Sequence, residues 1–418
     1  MLALVMAGGQ GTGLGELSKR RAKPAVPIAG QYRLVDFALS NLTNSGLHRV
    51  RILAQYRPHS LVRHIGDGEP WDLHRLPPNG AQIWQPYQGP GELSGYRGTA
   101  DALHQNSQLI SAEGMDLLLI ICGDHVYRQD YRDMLRFHCE QRADLTIAVT
   151  QVRPTDVHRF GIATVEEDAR ITAFVEKPEE ADGNLASMGI YIANTDFLLR
   201  RLDEDARDPS SAHEIGRSVI PGVVDSHSVF AYRFGGPWID VGTVPTYWET
   251  NLALLTPRPP VNLYDRTWPI RTRADQQPPA RYGRSAQIRE SMVSPGCLIE
   301  GRVIRSVLSP GVRVEPGATV RDSVLLHDVH IESGAIVDGS VLDERVEVGA
   351  RARLGMAPDD LQDDRSAQHP LRGATLVGMD ARIPPDAVVG RNCVVEVDVT
   401  ERDFERLDVP IGATVRRR

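Results

Sequence analysis

The glycines of Ala7-Gly8-Gly9-Gln10-Gly11-Thr12-Gly13 follow directly on an apolar run at 2–6. A strand that breaks into residues without side chains lets a phosphate come close to backbone N–H groups. The spacing matches neither the dinucleotide fingerprint nor the P-loop, so a tight turn explains the loop alone equally well. Lys23 follows, inside Ala22-Lys23-Pro24-Ala25, where an ammonium would neutralise phosphates held by the loop and Pro24 would fix the backbone beside it. A further group is Gly123-Asp124-His125, at the end of the apolar run 117–122. A carboxylate at the carboxyl end of a parallel strand faces the crevice in which open α/β sheets bind ligands, and a hard oxygen donor there suits Mg²⁺. Asp240, in Trp238-Ile239-Asp240-Val241-Gly242-Thr243, is a second carboxylate for the same metal. Taken singly, each aspartate could be a helix cap or turn residue, and a lone lysine in a basic run is usually solvated, but the Ala-Lys-Pro-Ala setting weights Lys23 towards a functional role.

Groups of this kind need a rigid frame. Apolar runs at 2–6, 50–53, 117–122, 145–150 and 189–193 read as buried strands, and stretches of helical period at 37–45, 99–111 and 131–142 lie between several of them. The alternation predicts a doubly wound α/β domain with a mixed, mostly parallel sheet, of Rossmann-like type, over residues 1–255. The proline-rich stretch 256–287 has neither period and reads as a linker. Beyond it Ser-Val-Leu recurs at Ser306, Ser323 and Ser340, a repeat of 17 residues, with short apolar pairs beside small residues in each unit. Such a repeat predicts a solenoid of three short faces per coil over 288–418, a left-handed parallel β-helix, with a loop at 358–369 and one more turn in Ile383-Pro384-Pro385-Asp386-Ala387-Val388-Val389-Gly390. An even-spaced β-sandwich is the alternative on period alone.

The 418 residues call for two domains, and 41% hydrophobic with 24% charged residues is an ordinary globular balance. A net charge of −8 with scattered basic residues gives no footprint for nucleic acid. Cys122, Cys139, Cys297 and Cys393 lie far apart, so neither a zinc site nor a disulfide framework is implied, and a reducing compartment fits. The first apolar run is too short for a signal peptide or a membrane span, which makes a cytoplasmic protein without membrane contact the plain expectation.

The strings AGGQGTGL, RAKPAVPIAGQYRLVDFALSN, GYRGTADAL, GDHVY, FVEKP, ASMGIY, DVGT and YDRTWPIRT, in this order over residues 7–272, resemble the bacterial ADP-glucose pyrophosphorylases, the glucose-1-phosphate adenylyltransferases. The resemblance implies attack of a glucose 1-phosphate oxygen on the α-phosphate of ATP, giving ADP-glucose and pyrophosphate for glycogen or a related α-glucan. It places Gly8, Gly9, Gly11 and Thr12 around the triphosphate and Lys23 on phosphate. It places Gln55, Tyr96, Arg97 and Gly98 around the nucleotide, and Glu176, Lys177 and Ser187 on glucose 1-phosphate, with Lys177 on its phosphate. Asp124 and Asp240 would hold Mg²⁺, with Lys23 and Asp124 the catalytic pair. The resemblance further implies a homotetramer with an effector site for a small metabolite.

This chain departs from the family pattern GGxGTRL, because Gly13 stands where an arginine is expected to stabilise the departing pyrophosphate. Losing one preorganised donor typically costs about 10²–10³ in rate. Arg20 or Arg21 would be the replacements within reach along the chain. Gly95, Ile239 and Glu214-Ile215 are lesser departures. Two other readings therefore stand beside the enzyme: a catalytically weak regulatory subunit of the same family, and a related transferase using another nucleoside triphosphate. The stretch 66–95, rich in Gly, Pro and Trp, is the expected lid over the crevice, or else an ordinary surface excursion.

Overall fold

The computed structural model describes residues 1–86, 95–356 and 369–418. The chain forms two compact units, each built from separated segments. One comprises Met1–Gly9, Val35–Trp238 and Leu263–Arg271; the other comprises Gln10–Leu34, Ile239–Asn262 and Thr272–Arg418.

The first unit is a mixed sheet covered by helices. Its strands are β1 (Leu2–Ala7), β2 (Arg49–Ala54), β3 (Gly80–Trp84), β4 (Leu117–Cys122), β5 (Leu145–Gln151), β6 (Gly161–Val165), β7 (Ile171–Glu176), β8 (Leu185–Asn194) and β9 (Val229–Arg233). They are ordered β7-β6-β8-β4-β1-β2-β3, with β5 pairing both β8 and β9. The half from β4 to β3 is parallel, and β8 runs antiparallel to β4, β5 and β6. Leu2, Ala3, Leu4 and Val5 are all fully buried, as expected for a strand covered on both faces. Helices α1 (Leu34–Asn44), α2 (Thr99–Gln105), α3 (Tyr131–Glu140) and α4 (Thr195–Arg207) lie between the strands. The single helix expected over 99–111 breaks at Asn106, whose Nδ2 turns back to donate to Ala102 O and Tyr96 Oη, and a second short helix follows at Ser107–Ala112.

The second unit contains the solenoid, three parallel sheets whose strands stack rung on rung as a left-handed β-helix. Its core is a column of Val, Ile, Leu and Ala contributed once per face. The Ser-Val-Leu repeat has a direct structural meaning: Ser323 N donates to Ser306 Oγ and Ser340 N to Ser323 Oγ, both at 3.1 Å. Val307, Val324 and Val341 stack in register beside this ladder. The strand Arg281–Tyr282 pairs with Leu298–Ile299, so rungs begin inside the stretch that reads as a linker. The turn expected at 383–390 is present in strands Arg382–Ile383 and Val388–Gly390. The expected loop at 358–369 falls, but for His369, outside the described residues, as do residues 87–94 of the expected lid.

Candidate active site

In the second unit Gly11 adopts φ +67°, and a Cβ on it would lie 2.8 Å from Lys23 Cβ, so the glycine both makes the turn and admits the lysine. Ser18 Oγ ties the loop down by donating to Gly11 O at 2.8 Å and Gly15 O at 3.1 Å. Thr12 opens a short 3₁₀ stretch, Thr12–Ser18. Lys23 Nζ stands 3.5 Å from Asp240 Oδ1, with both side chains largely buried. Asp240 precedes the turn into α5 (Val244–Ala253), whose start is capped by Thr243 Oγ1 accepting from Thr246 N. Gly13 leans on that same turn. A Cβ at Gly13 would lie 2.1 Å from Gly242 O, so no larger residue fits there without backbone movement.

The two arginines that sequence offered as replacements for the missing loop arginine are engaged elsewhere. Arg21 is buried on Asp343 at 2.7 Å, and Arg20 pairs with Asp380 and Asp398.

In the first unit, Gly8 and Gly9 follow the end of β1. A Cβ on Gly8 would meet Gln55 Cβ at 3.5 Å, whereas among the described residues nothing lies within 4 Å of a Cβ on Gly9. Gln55, just past β2, uses its amide like a piece of strand: Nε2 donates to Tyr96 O at 3.3 Å and Oε1 accepts from Tyr96 N. Arg97 is folded onto Asp101, its Nη2 2.8 Å and Nε 3.2 Å from Oδ1. Although burial works against it, these bonds hold the Asp101 carboxyl below its ordinary range. Gly98 meets the backbone of the segment before the helical turn Ile215–Val219, where a Cβ would lie 2.2 Å from His213 O.

Asp124 lies just beyond the carboxyl end of β4, where Gly123 N donates to Met6 O. Donor atoms of Cys122, Asp124 and His125 fall within 4.8 Å of one another. The imidazole is not free to ligate through the nitrogen nearest Asp124. Trp238 Nε1, a donor only, gives its proton to His125 Nδ1 at 3.3 Å, so the neutral ring carries its own proton on Nε2, 3.6 Å from Asp124 Oδ1. At 3.6 Å His125 Nε2 is a polar neighbour of the Asp124 carboxylate and not a hydrogen-bond donor to it, and the hard oxygen of Asp124 is the group suited to a magnesium ion.

The remaining residues sit on the antiparallel side of the sheet. Glu176 ends β7, and its Oε2 occupies the space that a Cβ of Gly161 or Gly216 would fill, at 2.6 and 2.4 Å. Burial pushes the Glu176 carboxyl above its ordinary value, with nearby Glu214 adding to the rise and Lys177 and Arg217 opposing it. Lys177 holds φ +50°, a conformation costly for a side-chain-bearing residue, while its N donates to Phe160 O at 3.0 Å and its Nζ stays 3.9 Å from Glu176 Oε1. Ser187 is buried where β8 shifts register, its Oγ accepting from Gly189 N at 3.2 Å and donating to Tyr191 Oη at 3.4 Å.

The structure therefore groups Gln55 with Tyr96, Glu176 with Lys177, and Lys23 with Gly11 and Asp240. Within the described residues it adds Cys122, His125, Trp238 and Gly242, which sequence reasoning did not single out. Cys122 and His125 lie within two residues of Asp124 in sequence, but the Trp238 donor that sets the imidazole proton is remote along the chain and leaves no local signal.

Residues 2–256 match the nucleotidyl transferase family, and residues 278–377 match the GlmU-like C-terminal hexapeptide family. A glucose-1-phosphate adenylyltransferase of Thermomicrobium roseum is 48% identical over 99% of this chain and 96% of its own length. One from Thermotoga neapolitana is 44% identical over 99% of this chain and 97% of its own, and one from Acetivibrio thermocellus 38% identical over 99% and 97%. With a transferase domain, a hexapeptide solenoid and full-length relatives of this similarity, the chain belongs to the glucose-1-phosphate adenylyltransferase family of nucleotidyl transferases.

Proposed function

We propose that the chain joins ATP and α-D-glucose 1-phosphate into ADP-glucose, releasing pyrophosphate, in the synthesis of glycogen or a related α-glucan. A phosphate oxygen of glucose 1-phosphate attacks the α-phosphorus of ATP, the new P–O bond forms as the bond to the β-phosphate oxygen breaks, and pyrophosphate leaves with the electron pair. The observation that carries this reading is Lys23 Nζ held 3.5 Å from Asp240 Oδ1 beside the Gly11 turn, which sets a cation and a carboxylate next to the glycine loop. Little covalent work falls to the protein, so positioning and charge neutralisation supply most of the rate.

Gly8, Gly9, Gly11 and Thr12 present backbone to the triphosphate, and Lys23 donates to it. Gln55, Tyr96, Arg97 and Gly98 frame the nucleotide. Glu176 accepts from sugar hydroxyls, Lys177 donates to the sugar phosphate, and Ser187 orients the sugar. Asp124 and Asp240 are the oxygen donors for Mg²⁺; the bound ion would offset the charge gathering on the phosphates. A cytoplasmic homotetramer responding to a small metabolite is the setting we favour. We read 1–255 as the catalytic domain, 256–287 as a linker and 288–418 as the β-helix; the family match at 2–256 supports the first and that at 278–377 the last, while the match from 278 and the rung at Arg281–Tyr282 start within the stretch read as linker. No helix among the described residues is long and apolar enough to cross a membrane.

Gly13 is the observation that favours the weak regulatory subunit. The test is pyrophosphate release by the purified protein with ATP, glucose 1-phosphate and Mg²⁺, beside Asp124→Ala and Gly13→Arg. We expect wild-type turnover that Asp124→Ala removes by about 10² or more, the scale of losing one preorganised group. Gly13→Arg should bring no gain, because its Cβ meets Gly242 O at 2.1 Å. An inert wild type that Gly13→Arg activates would establish the regulatory reading instead.

A further inference from the structure

Three residues of the segment between the glycine loop and Lys23 are fastened to the solenoid within the second unit. Glu16 Oε2 accepts from Val397 N at 3.1 Å. Arg20 is half-exposed and reaches the corner residues Asp380 and Asp398. Arg21 is of another kind. It is 2% exposed, its Nη2 lies 2.7 Å from Asp343 Oδ1 and 3.5 Å from Glu344 Oε1, and Asp343 is 1% exposed. Two adjacent carboxyls, Asp343 fully buried and Glu344 largely so, thus face one guanidinium. They respond oppositely: burial pushes Asp343 up to about 6, whereas for Glu344 burial is outweighed by Arg21, Arg33, His327 and Arg345, which hold it below its ordinary range. A buried charge is tolerated only with such partners, so the guanidinium has one place to be.

On the other side of Lys23 the chain is equally constrained. Tyr247 Oη donates to Pro27 O at 2.6 Å, and Ala29 N donates to Asn251 Oδ1 at 2.8 Å, both partners being on α5. Lys23 therefore lies on a short span fixed at Arg21 before it and at Pro27 and Ala29 after it. The Arg21 anchor belongs to the solenoid, a part of the chain that contributes no residue to the proposed chemistry.

We propose that Arg21 is a positioning residue, holding Lys23 at the ATP phosphates through its buried ion pair with Asp343 and Glu344. The inference rests on the reading of Lys23 as a phosphate ligand. It makes a selective claim: the glucose 1-phosphate residues Glu176, Lys177 and Ser187 belong to the other compact unit, so the effect of Arg21 falls on ATP and turnover alone.

The test is steady-state kinetics of full-length Arg21→Gln, Arg21→Lys and Asp343→Asn with both substrates varied, together with calorimetric titration by MgATP. Arg21→Gln is expected to lower kcat about tenfold or more and to raise the KM for ATP, since small misplacements of a positioned group are that costly. The KM for glucose 1-phosphate should stay within about twofold, Arg21→Lys should recover part of the loss, and Asp343→Asn should shift the same parameters less. ATP parameters of Arg21→Gln matching wild type, or equal losses for both substrates with a lowered melting temperature, would overturn the proposal. Should Arg21→Gln fail to fold, Asp343→Asn decides, because it keeps the volume and one acceptor oxygen for Arg21 while removing the charge and replacing the other oxygen by an NH2 group. An absence of pyrophosphate release in wild type counts against the adenylyl-transfer reading, and the MgATP titrations still decide the role of Arg21.

Discussion

Glu176 and Lys177 form a coupled pair at the sugar-phosphate end of the proposed site, and the coupling has a readable sign. Burial holds the Glu176 carboxyl above its ordinary value, Glu214 raises it further, and the Lys177 ammonium works against both. An ionised carboxylate accepts from sugar hydroxyls more strongly than the protonated acid, so sugar binding is at full strength above its pKa and weakens as pH falls through it. Removing the ammonium in Lys177→Gln lets the Glu176 pKa rise, and the acid limb of the pH profile moves to higher pH. Glu214→Gln removes a like charge and moves the limb the other way. Lys177→Gln also deletes a charge-assisted bond to phosphate, an interaction of about 1.5–3 kcal/mol, so the KM for glucose 1-phosphate should rise roughly 10–100-fold at neutral pH. Profiles of that KM against pH for the three proteins check both statements; limbs that coincide would mean that Glu176 does not touch the sugar.

At the scale of elements, the serine ladder of the solenoid shows how a sequence repeat becomes a stabilising device. Ser323 Oγ donates to Arg321 O at 2.6 Å and accepts from Ser340 N at 3.1 Å while fully buried. Ser323→Ala would leave both a backbone donor and a carbonyl without these partners, costing about 1–3 kcal/mol in the folded state. Thermal unfolding should register this as a lowered midpoint, with turnover at moderate temperature intact; an unchanged midpoint would mean that the ladder is dispensable. The repeat was legible because each rung contributes the same three residues to the same face, and the buried strands were legible because their apolar runs are covered on both sides. Other features had no such signal. The break at Asn106 depends on a side-chain turn back to Ala102 and Tyr96, and the close fit of Gly13 on Gly242 joins residues far apart in sequence. The loop glycines, Lys23 and the two aspartates could be picked out by type and setting, yet that Arg21 is buried rather than free followed only from the position of Asp343.

For the whole molecule, the division of the chain by packing differs from its division by sequence. Residues 1–255 contain every proposed site residue, yet Gln10–Leu34 and Ile239–Asn262 pack with the solenoid. Trp248 Nε1 donates to Asp322 O at 2.7 Å, Glu16 accepts from Val397 N, and Arg21 is buried on Asp343, so the phosphate-handling segment borrows its rigidity from residues after 271. A fragment ending at 255 would leave the Arg21 guanidinium in solvent without the carboxylates that anchor it, and α5 without the surface on which it rests. We therefore expect a purified 1–255 fragment to bind glucose 1-phosphate, whose residues belong to the first unit, while releasing no pyrophosphate from ATP. Calorimetry with the sugar phosphate and the pyrophosphate assay measure the two halves of this expectation separately. Turnover by the fragment at the full-length rate would mean that the loop holds its working geometry alone, and that the solenoid's hold on it is without consequence for catalysis.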